Sequence, residues 1–439
     1  MNPPAVPLDT APAGAPSFDV ASIRAAFPIL GERVNGSPLV YLDSAATSQK
    51  PFAVLEAETS FLTRRNAAVH RGAHTLAAEA TEDFEDARAA VAAFVGADPD
   101  NIVWTSGATA GINLIAYSIG NASVGRGGAA ARRFALQPGD EIVVTESEHH
   151  ANLIPWQELA ARTGAKLRHI PVLDDGRLDL GSAAALIGSR TRIVAFPHVS
   201  NVLGIVNPVD DLVTLARSVG ALTVLDACQS APHLALDLPA LGVDLAVFSG
   251  HKIFAPYGVG ALYGRSEVLE ALPPFLTGGS MITTVTIDSA EYLPPPQRFE
   301  AGTQPVSQAI GLAAAVRFLG ELGHDAIAAR EASLERRLRE GLRSLEGVRM
   351  VGDADGAERV ALAAFAVDGV HAHDAGQFLD ARGVAVRVGH HCAQPLHRRF
   401  GLTATVRASA AFYNTEDEID TFLDALSGVR AFFGVEGAR

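Results

Sequence analysis

Lys252 closes the run Ser249-Gly250-His251-Lys252, directly after the apolar stretch Asp244-Leu245-Ala246-Val247-Phe248 and ahead of the glycine-rich segment Gly258 to Gly264. An apolar run of this length bounded by glycine reads as a buried strand, which would deliver Ser249, His251 and Lys252 to the exposed end of a sheet. Open α/β sheets bind their ligands at that end. A lysine beside apolar surface loses part of the solvation that keeps it protonated, so it can act as a nucleophilic amine and form a Schiff base. A lone lysine after a strand is more often a surface side chain, so its neighbours must decide.

Asp226 ends the run Thr223-Val224-Leu225, so consecutive βα units would set a carboxylate and an amine at one sheet edge. Such a carboxylate either caps a helix or holds a cationic ring nitrogen, as the electron sink of pyridoxal phosphate enzymes requires. Taken alone, Asp226 favours the cap. The turn Ser106-Gly107-Ala108-Thr109 joins a strand to a helix N-terminus, where free N–H groups favour a phosphate. G-x-G-x-x-G and P-loop patterns are absent, which argues against a dinucleotide or triphosphate.

Glu148-His149-His150 also follows a strand, and adjacent histidines point in different directions, so one can face a site. A metal reading is poor: neither this pair, nor His70 with His74, nor His390-His391-Cys392 has a ligand set of known spacing. Cys392 lies after a predicted strand amid Arg387, His390, His391 and Arg398. Positive charge raises the thiolate fraction, so it is a candidate nucleophile. Cys228 follows an apolar strand without basic neighbours and reads as packing.

The elements that must position these residues alternate as strand and helix from Ile102 to Phe248, which predicts a mostly parallel sheet with helices on both faces. The expected division is a leader over 1–17, a segment over 18–40 packing with a small domain, a large domain over 41–296, and a small α+β domain over 297–439. Within the large domain, the Gly/Arg-rich stretch Gly120 to Gln137 reads as a surface loop outside the core. In the small domain, Val384 to Val388 reads as one strand. The formal net charge of −14 argues against a general nucleic-acid or anionic-membrane surface. No apolar run approaches the roughly 20 residues that span a bilayer, and the Ala/Pro-rich leader lacks the layout of a signal peptide. The expected compartment is the cytoplasm. Two cysteines are too few for a disulfide framework.

Side by side, these stretches resemble the cysteine desulfurases of the aminotransferase class V family, specifically the SufS-like second group. The resemblance rests on Tyr-Leu-Asp-Ser-Ala-Ala-Thr (41–47), Val-His-Arg-Gly (69–72), Glu-His-His-Ala-Asn (148–152), His-Val-Ser-Asn-Val-Leu-Gly (198–204) and Asp-Ala-Cys-Gln (226–229). It continues through Phe-Ser-Gly-His-Lys (248–252), Arg-Phe-Glu-Ala-Gly-Thr (298–303), Gly-His-His-Cys (389–392) and Arg-Ala-Ser (407–409), in the family's order.

The resemblance implies a fold-type I enzyme, usually a homodimer, with pyridoxal phosphate on Lys252. It implies Asp226 at the pyridine nitrogen, Gln229 at the ring oxygen and His149 stacked on the ring. Thr109, Ser249 and His251 would hold the phosphate, with Thr303 from the other subunit. Asn201, Arg387, His70 and Arg407 would meet the substrate, Arg407 as a guanidinium fork for its carboxylate. Cys392 would take the sulfur as a persulfide, for a SufE- or SufU-like acceptor and iron–sulfur cluster assembly or related delivery. A selenocysteine or cysteine-sulfinate lyase, another carbon–sulfur lyase, and an idle partner-binding scaffold are the alternatives. The chain departs from the family at Ala108 and Ala110 in the phosphate turn and at Ala255-Pro256-Tyr257 after the lysine.

Overall fold

The structure, a computed structural model, describes residues 18–435. The expected leader over 1–17 lies outside the described residues.

A seven-stranded sheet forms the larger half. Its order is Ile102–Thr105, Gly260–Gly264, Leu245–Ser249, Leu222–Asp226, Thr191–Pro197, Glu141–Thr145 and Lys166–Ile170. Gly260–Gly264 runs antiparallel to both its neighbours, and the pairings from Leu245–Ser249 to Lys166–Ile170 are parallel. The three strands that carry the central residues, ending at Pro197, Asp226 and Ser249, are almost wholly buried. Their sequences are accordingly continuous apolar runs, as expected of strands covered on both faces.

A second, antiparallel sheet has the order Val348–Met350, Leu362–Val367, Thr405–Ser409 and Arg387–Gly389. The helix His324–Ser344 lays Leu334, Leu338 and Leu342 on this sheet's core together with Phe365 and Phe422. Spacing of four residues puts the three leucines on one helical stripe. The helix Glu416–Ser427 begins with a capping box, Thr415 accepting from the Glu418 N–H and Glu418 from the Thr415 N–H.

The N-terminal segment ties the two halves together. Arg24 pairs with Glu418 at 2.6 Å, and Phe27 is packed among Phe254, Phe318, Phe412 and Tyr413. Val306–Leu322, beyond the Pro294–Pro296 run, packs on the helices Phe52–Arg64 and Thr75–Phe94 of the larger half.

Two expectations need correction. Gly120 to Gln137 is not a loop held outside the core: the helix from Ala108 continues to Ser123, Gly128–Ala131 forms a further helical turn, and Ala131 and Leu136 are buried. Alanines favour the turn, and Ser123 Oγ accepts the Leu136 N–H at 2.8 Å. Val384 to Val388 is two strands: Val384–Ala385 pairs in parallel with Val40–Tyr41, while Arg387–Gly389 joins the small sheet. Backbone partners on two different sheets divide the run.

Candidate active site

The loops after Thr105, Thr145, Pro197, Asp226 and Ser249 meet at one edge of the large sheet. They line a cavity of about 610 Å3 whose far wall is Arg387, His391, Cys392 and Arg407 from the small sheet and its loop. Thr109, His149, Asn201, Asp226, Gln229, Ser249, His251 and Lys252 all face it. Eleven of the thirteen residues expected at the site are thus gathered within one chain. His70 and Thr303 do not line this cavity. His70 contacts Glu85 at 2.9 Å near the surface, and Thr303 lines a separate depression with Trp104 and Leu276.

At the phosphate turn, Gly107 has φ 141°, a conformation that glycine alone adopts without strain, and a Cβ there would lie 3.2 Å from Ser249 Oγ. Ser249 Oγ instead accepts the Ala108 N–H at 2.9 Å. A hydroxyl from another strand therefore caps this helix where Ala108 and Ala110 supply none. Asp226 is 7% exposed, and its Oδ1 accepts the Cys228 N–H at 2.9 Å. That bond closes a local turn rather than capping a helix. Gln229 donates to the Ala45 carbonyl at 2.8 Å, while its Oε1 and His251 Nδ1 are buried without partners. Tyr257, one of the departures after the lysine, stacks on His251 with ring centroids 5.5 Å apart, and Lys50 Nζ lies 4.8 Å from the Tyr257 ring.

A buried carboxylate, unpartnered polar atoms, a helix N-terminus capped at the Ala108 N–H alone and a lysine in one cavity fit a ring with polar substituents and an anionic group. These residues suit pyridoxal phosphate.

His149 Nδ1 accepts the Ala151 N–H at 3.1 Å, so in the neutral ring the proton sits on Nε2. Burial, and then the charge of Lys252, hold His149 well below the usual histidine pKa. The preceding Glu148 is buried and bonded to Thr145 and Asn152, and Asn152 in turn accepts from Trp156 Nε1. Burial raises the Glu148 pKa well above the carboxylate range. This network fixes the loop that aims His149.

Cys392 is exposed, and both it and His391 have left-handed backbones, with φ 56° and 51°. Asn201 Nδ2 donates to the His391 carbonyl and the His150 N–H to the Cys392 carbonyl, both at 2.7 Å. Behind the loop, His397 Nδ1 bonds the Ala393 carbonyl at 2.9 Å and must therefore carry the proton. Its Nε2 then accepts from the Thr405 hydroxyl at 3.0 Å, which leaves Thr405 Oγ1 to accept from His391 Nε2 at 2.8 Å. Burial, and then Arg407, push His391 down to about 2. It is uncharged, so the positive charge near Cys392 is narrower than the sequence implied and centres on Arg387 and Arg407. Cys228 behaves as expected of packing: it is buried and its thiol is pushed up to about 12, first by burial and then by Asp226.

Sequence reasoning missed the roles of Thr405, His397 and Glu148. Their spacing carries no periodic signal, and their neighbours come together only on folding.

The aminotransferase class-V family model matches residues 40–422. The chain belongs to this family, among its cysteine desulfurases. It is 55% identical over 422 residues to a probable cysteine desulfurase 2 of Mycobacterium leprae, covering 95% of this chain and 98% of that one. Among solved structures it is similar to the cysteine desulfurase CsdA of Escherichia coli, with TM-score 0.84 and 37% identity over 95% of this chain and all of that one. A lysine-to-alanine variant of the lyase C-DES, with glycine covalently linked to its PLP cofactor, matches with TM-score 0.76 at 26% identity, covering 92% of this chain and 98% of that one. Among the described residues no helix is long and apolar enough to cross a membrane.

Proposed function

We propose that the chain is a pyridoxal phosphate-dependent L-cysteine desulfurase that leaves alanine and carries the sulfur as a persulfide on Cys392. The observation that carries this reading is the shared cavity, in which Lys252, Asp226 and His149 of the large sheet face Cys392 of the small-sheet loop. The cofactor would be held by Lys252, by Asp226 at the ring nitrogen, by Gln229 and His149 at the ring, and by Thr109, Ser249 and His251 at the phosphate. When bound, it supplies the carbonyl that Lys252 engages and a cationic ring that withdraws electrons from the substrate Cα.

The chain's own residues do the rest. Arg407, with Arg387 and Asn201, orients the substrate carboxylate. Its burial, which lowers the guanidinium to about 10 while Asp43 opposes the shift, still leaves it charged at neutral pH. The Lys252 amine takes the Cα proton, and His149, neutral at that pH, moves a proton close to the sulfur. The Cys392 thiolate attacks the substrate sulfur; the S–S bond forms as the C–S bond breaks, and the carbon is protonated to give alanine. The exposure of Cys392 supports onward transfer to an acceptor protein of the SufE or SufU kind, for iron–sulfur cluster assembly or related delivery in the cytoplasm. A homodimer would bring Thr303 of a second copy to the phosphate. The placement of Thr303 outside its own chain's cavity supports this. His70 is given no step.

Purified protein supplied with pyridoxal phosphate and L-cysteine is expected to form alanine and protein-bound persulfide in equal amounts before turnover. Pyruvate and ammonia in their place would refute the reading.

A further inference from the structure

None of these steps uses Ala255-Pro256-Tyr257, yet the three residues fold back together on the lysine turn. The Ala255 N–H returns to the Gly250 carbonyl at 3.1 Å, and Ala255 is buried. Pro256 lies against Gly311 of the helix Val306–Leu322, where an added Cβ would sit 2.5 Å from the proline Cγ. Gly258 then turns the chain with φ 76°, a left-handed conformation that suits glycine. Between these two fixed points Tyr257 is delivered onto the His251 ring, with centroids 5.5 Å apart and planes inclined by 18°.

His251 is held unevenly. Its carbonyl accepts from Thr47 Oγ1 and the Ser48 N–H at 3.0 Å and from Ser48 Oγ at 3.1 Å, and Lys50 Nζ approaches it at 3.3 Å. The backbone is therefore pinned. The ring is not: its Nδ1 is buried without a partner, and the ring torsion of a histidine is soft unless contacts fix it. The face of Tyr257 supplies that contact. Lys50 in turn braces Tyr257, its Nζ 4.8 Å from the ring centroid, as a cation over an aromatic face. Burial lowers Lys50 to about 8, which leaves it charged at neutral pH. His251 lines the cavity whereas Tyr257 and Lys50 do not, so both act on a ligand through it. Burial, then Lys252 and then Lys50, push His251 down to about 4, so the neutral ring has one N–H to offer an anion. A single donor is useful only in the right plane.

We propose that Tyr257 is a positioning residue for the cofactor: stacked on His251 and braced by Lys50, it holds the imidazole in the plane from which it donates to the phosphate. The inference rests on the pyridoxal phosphate reading of the cavity. Both contacts of Tyr257 are made by its ring rather than its hydroxyl, so phenylalanine can replace it and an aliphatic side chain cannot.

The test compares wild type, Tyr257→Phe and Tyr257→Leu as holoenzymes. Two readouts are taken: the rate at which the diluted protein loses its visible cofactor band, and the phosphorus-31 resonance of the bound phosphate. Tyr257→Leu is expected to release the cofactor roughly threefold to tenfold faster, the value of one aromatic contact. Its phosphate resonance is expected to move, and Tyr257→Phe to match wild type in both readouts. Release from Tyr257→Leu slower than that range overturns the inference, as does an unmoved resonance or a Tyr257→Phe that behaves as the leucine variant does. Tyr257 is 63% exposed, so its replacement opens no cavity in the core. Tyr257→Thr, with the same expectation and the same refutation, stands in if the leucine variant does not fold. Wild type without a Lys252-dependent band is a failure of the pyridoxal phosphate reading and takes the inference with it. A stable wild-type band that the leucine variant shares unchanged overturns the inference alone.

Discussion

Replacing Thr405 with valine tests whether the Cys392 loop is held by its histidine relay. The two left-handed residues, His391 and Cys392, cost about 1–2 kcal/mol each, or about 2–4 kcal/mol together. Three bonds offset this: Asn201 to the His391 carbonyl, the His150 N–H to the Cys392 carbonyl, and His391 Nε2 to Thr405. At a net value of about 1 kcal/mol each they roughly balance the strain. Valine keeps the shape of threonine but removes the hydroxyl, leaving His391 Nε2 and His397 Nε2 without their shared partner. Of the two bonds lost, the one to His391 holds the loop directly, and its loss, about 1–1.5 kcal/mol, reduces the population of the reactive loop roughly tenfold. Rapid-quench measurement of persulfide formation should therefore show a roughly tenfold slower step in Thr405→Val, while the visible absorbance of the bound cofactor is unchanged. A persulfide rate within twofold of wild type, in a folded and cofactor-loaded variant, would refute the reasoning.

Cys392→Ala should lose alanine formation from L-cysteine by at least a hundredfold yet keep turnover of L-selenocysteine, whose selenium leaves more readily. Parallel alanine assays check this, and equal retention of both activities would remove Cys392 from the mechanism. Glu300→Gln strips the charge partner from Arg88, which is 1% exposed and bonded to Glu300 at 2.6 and 2.9 Å. Urea denaturation should show a loss of about 3 kcal/mol, at the low end for a buried pair because Glu85 still meets Arg88 Nε. Burial lowers the pKa of His198 to about 4 and that of His391 to about 2 from an ordinary 6.5. The unfolded chain then binds more protons than the folded one as pH falls below about 6.5. Their contribution is full above that value and is lost on acidification, by about 1 kcal/mol per histidine between pH 7 and 5.5. Equilibrium denaturation at the two pH values reads this directly, and equal stability at both would contradict the buried neutral state.

The alternation of apolar runs and helical stretches was sufficient to predict the parallel part of the large sheet, because strands buried on both faces are continuous in apolar residues, but it did not mark the glycine-rich Gly260–Gly264 as the antiparallel strand it forms. The strand ends then marked Asp226, Ser249 and Lys252 as neighbours on one edge, as the structure shows. Local composition misread Gly120 to Gln137: arginines and glycines gave the stretch the look of a solvent loop, yet Ala131 and Leu136 find buried places against other elements. The strand from Val384 was likewise legible in type but not in its division, which depends on hydrogen-bond partners up to 20 residues away on one side and more than 300 on the other.

The site divides along the same line. Residue types alone determined which groups could do chemistry: an amine, a carboxylate, a thiol, histidines and a guanidinium fork, each set beside a strand end or turn. Tertiary structure alone decided how those groups are charged and held. Desolvation leaves His391 beside Cys392 neutral, Ser249 caps a helix more than 100 residues away, and Asp43 lies between two arginines that sequence distance separates by about 20 residues. Burial and through-space charge depend on what folds alongside a side chain, and neither is encoded in its immediate neighbours.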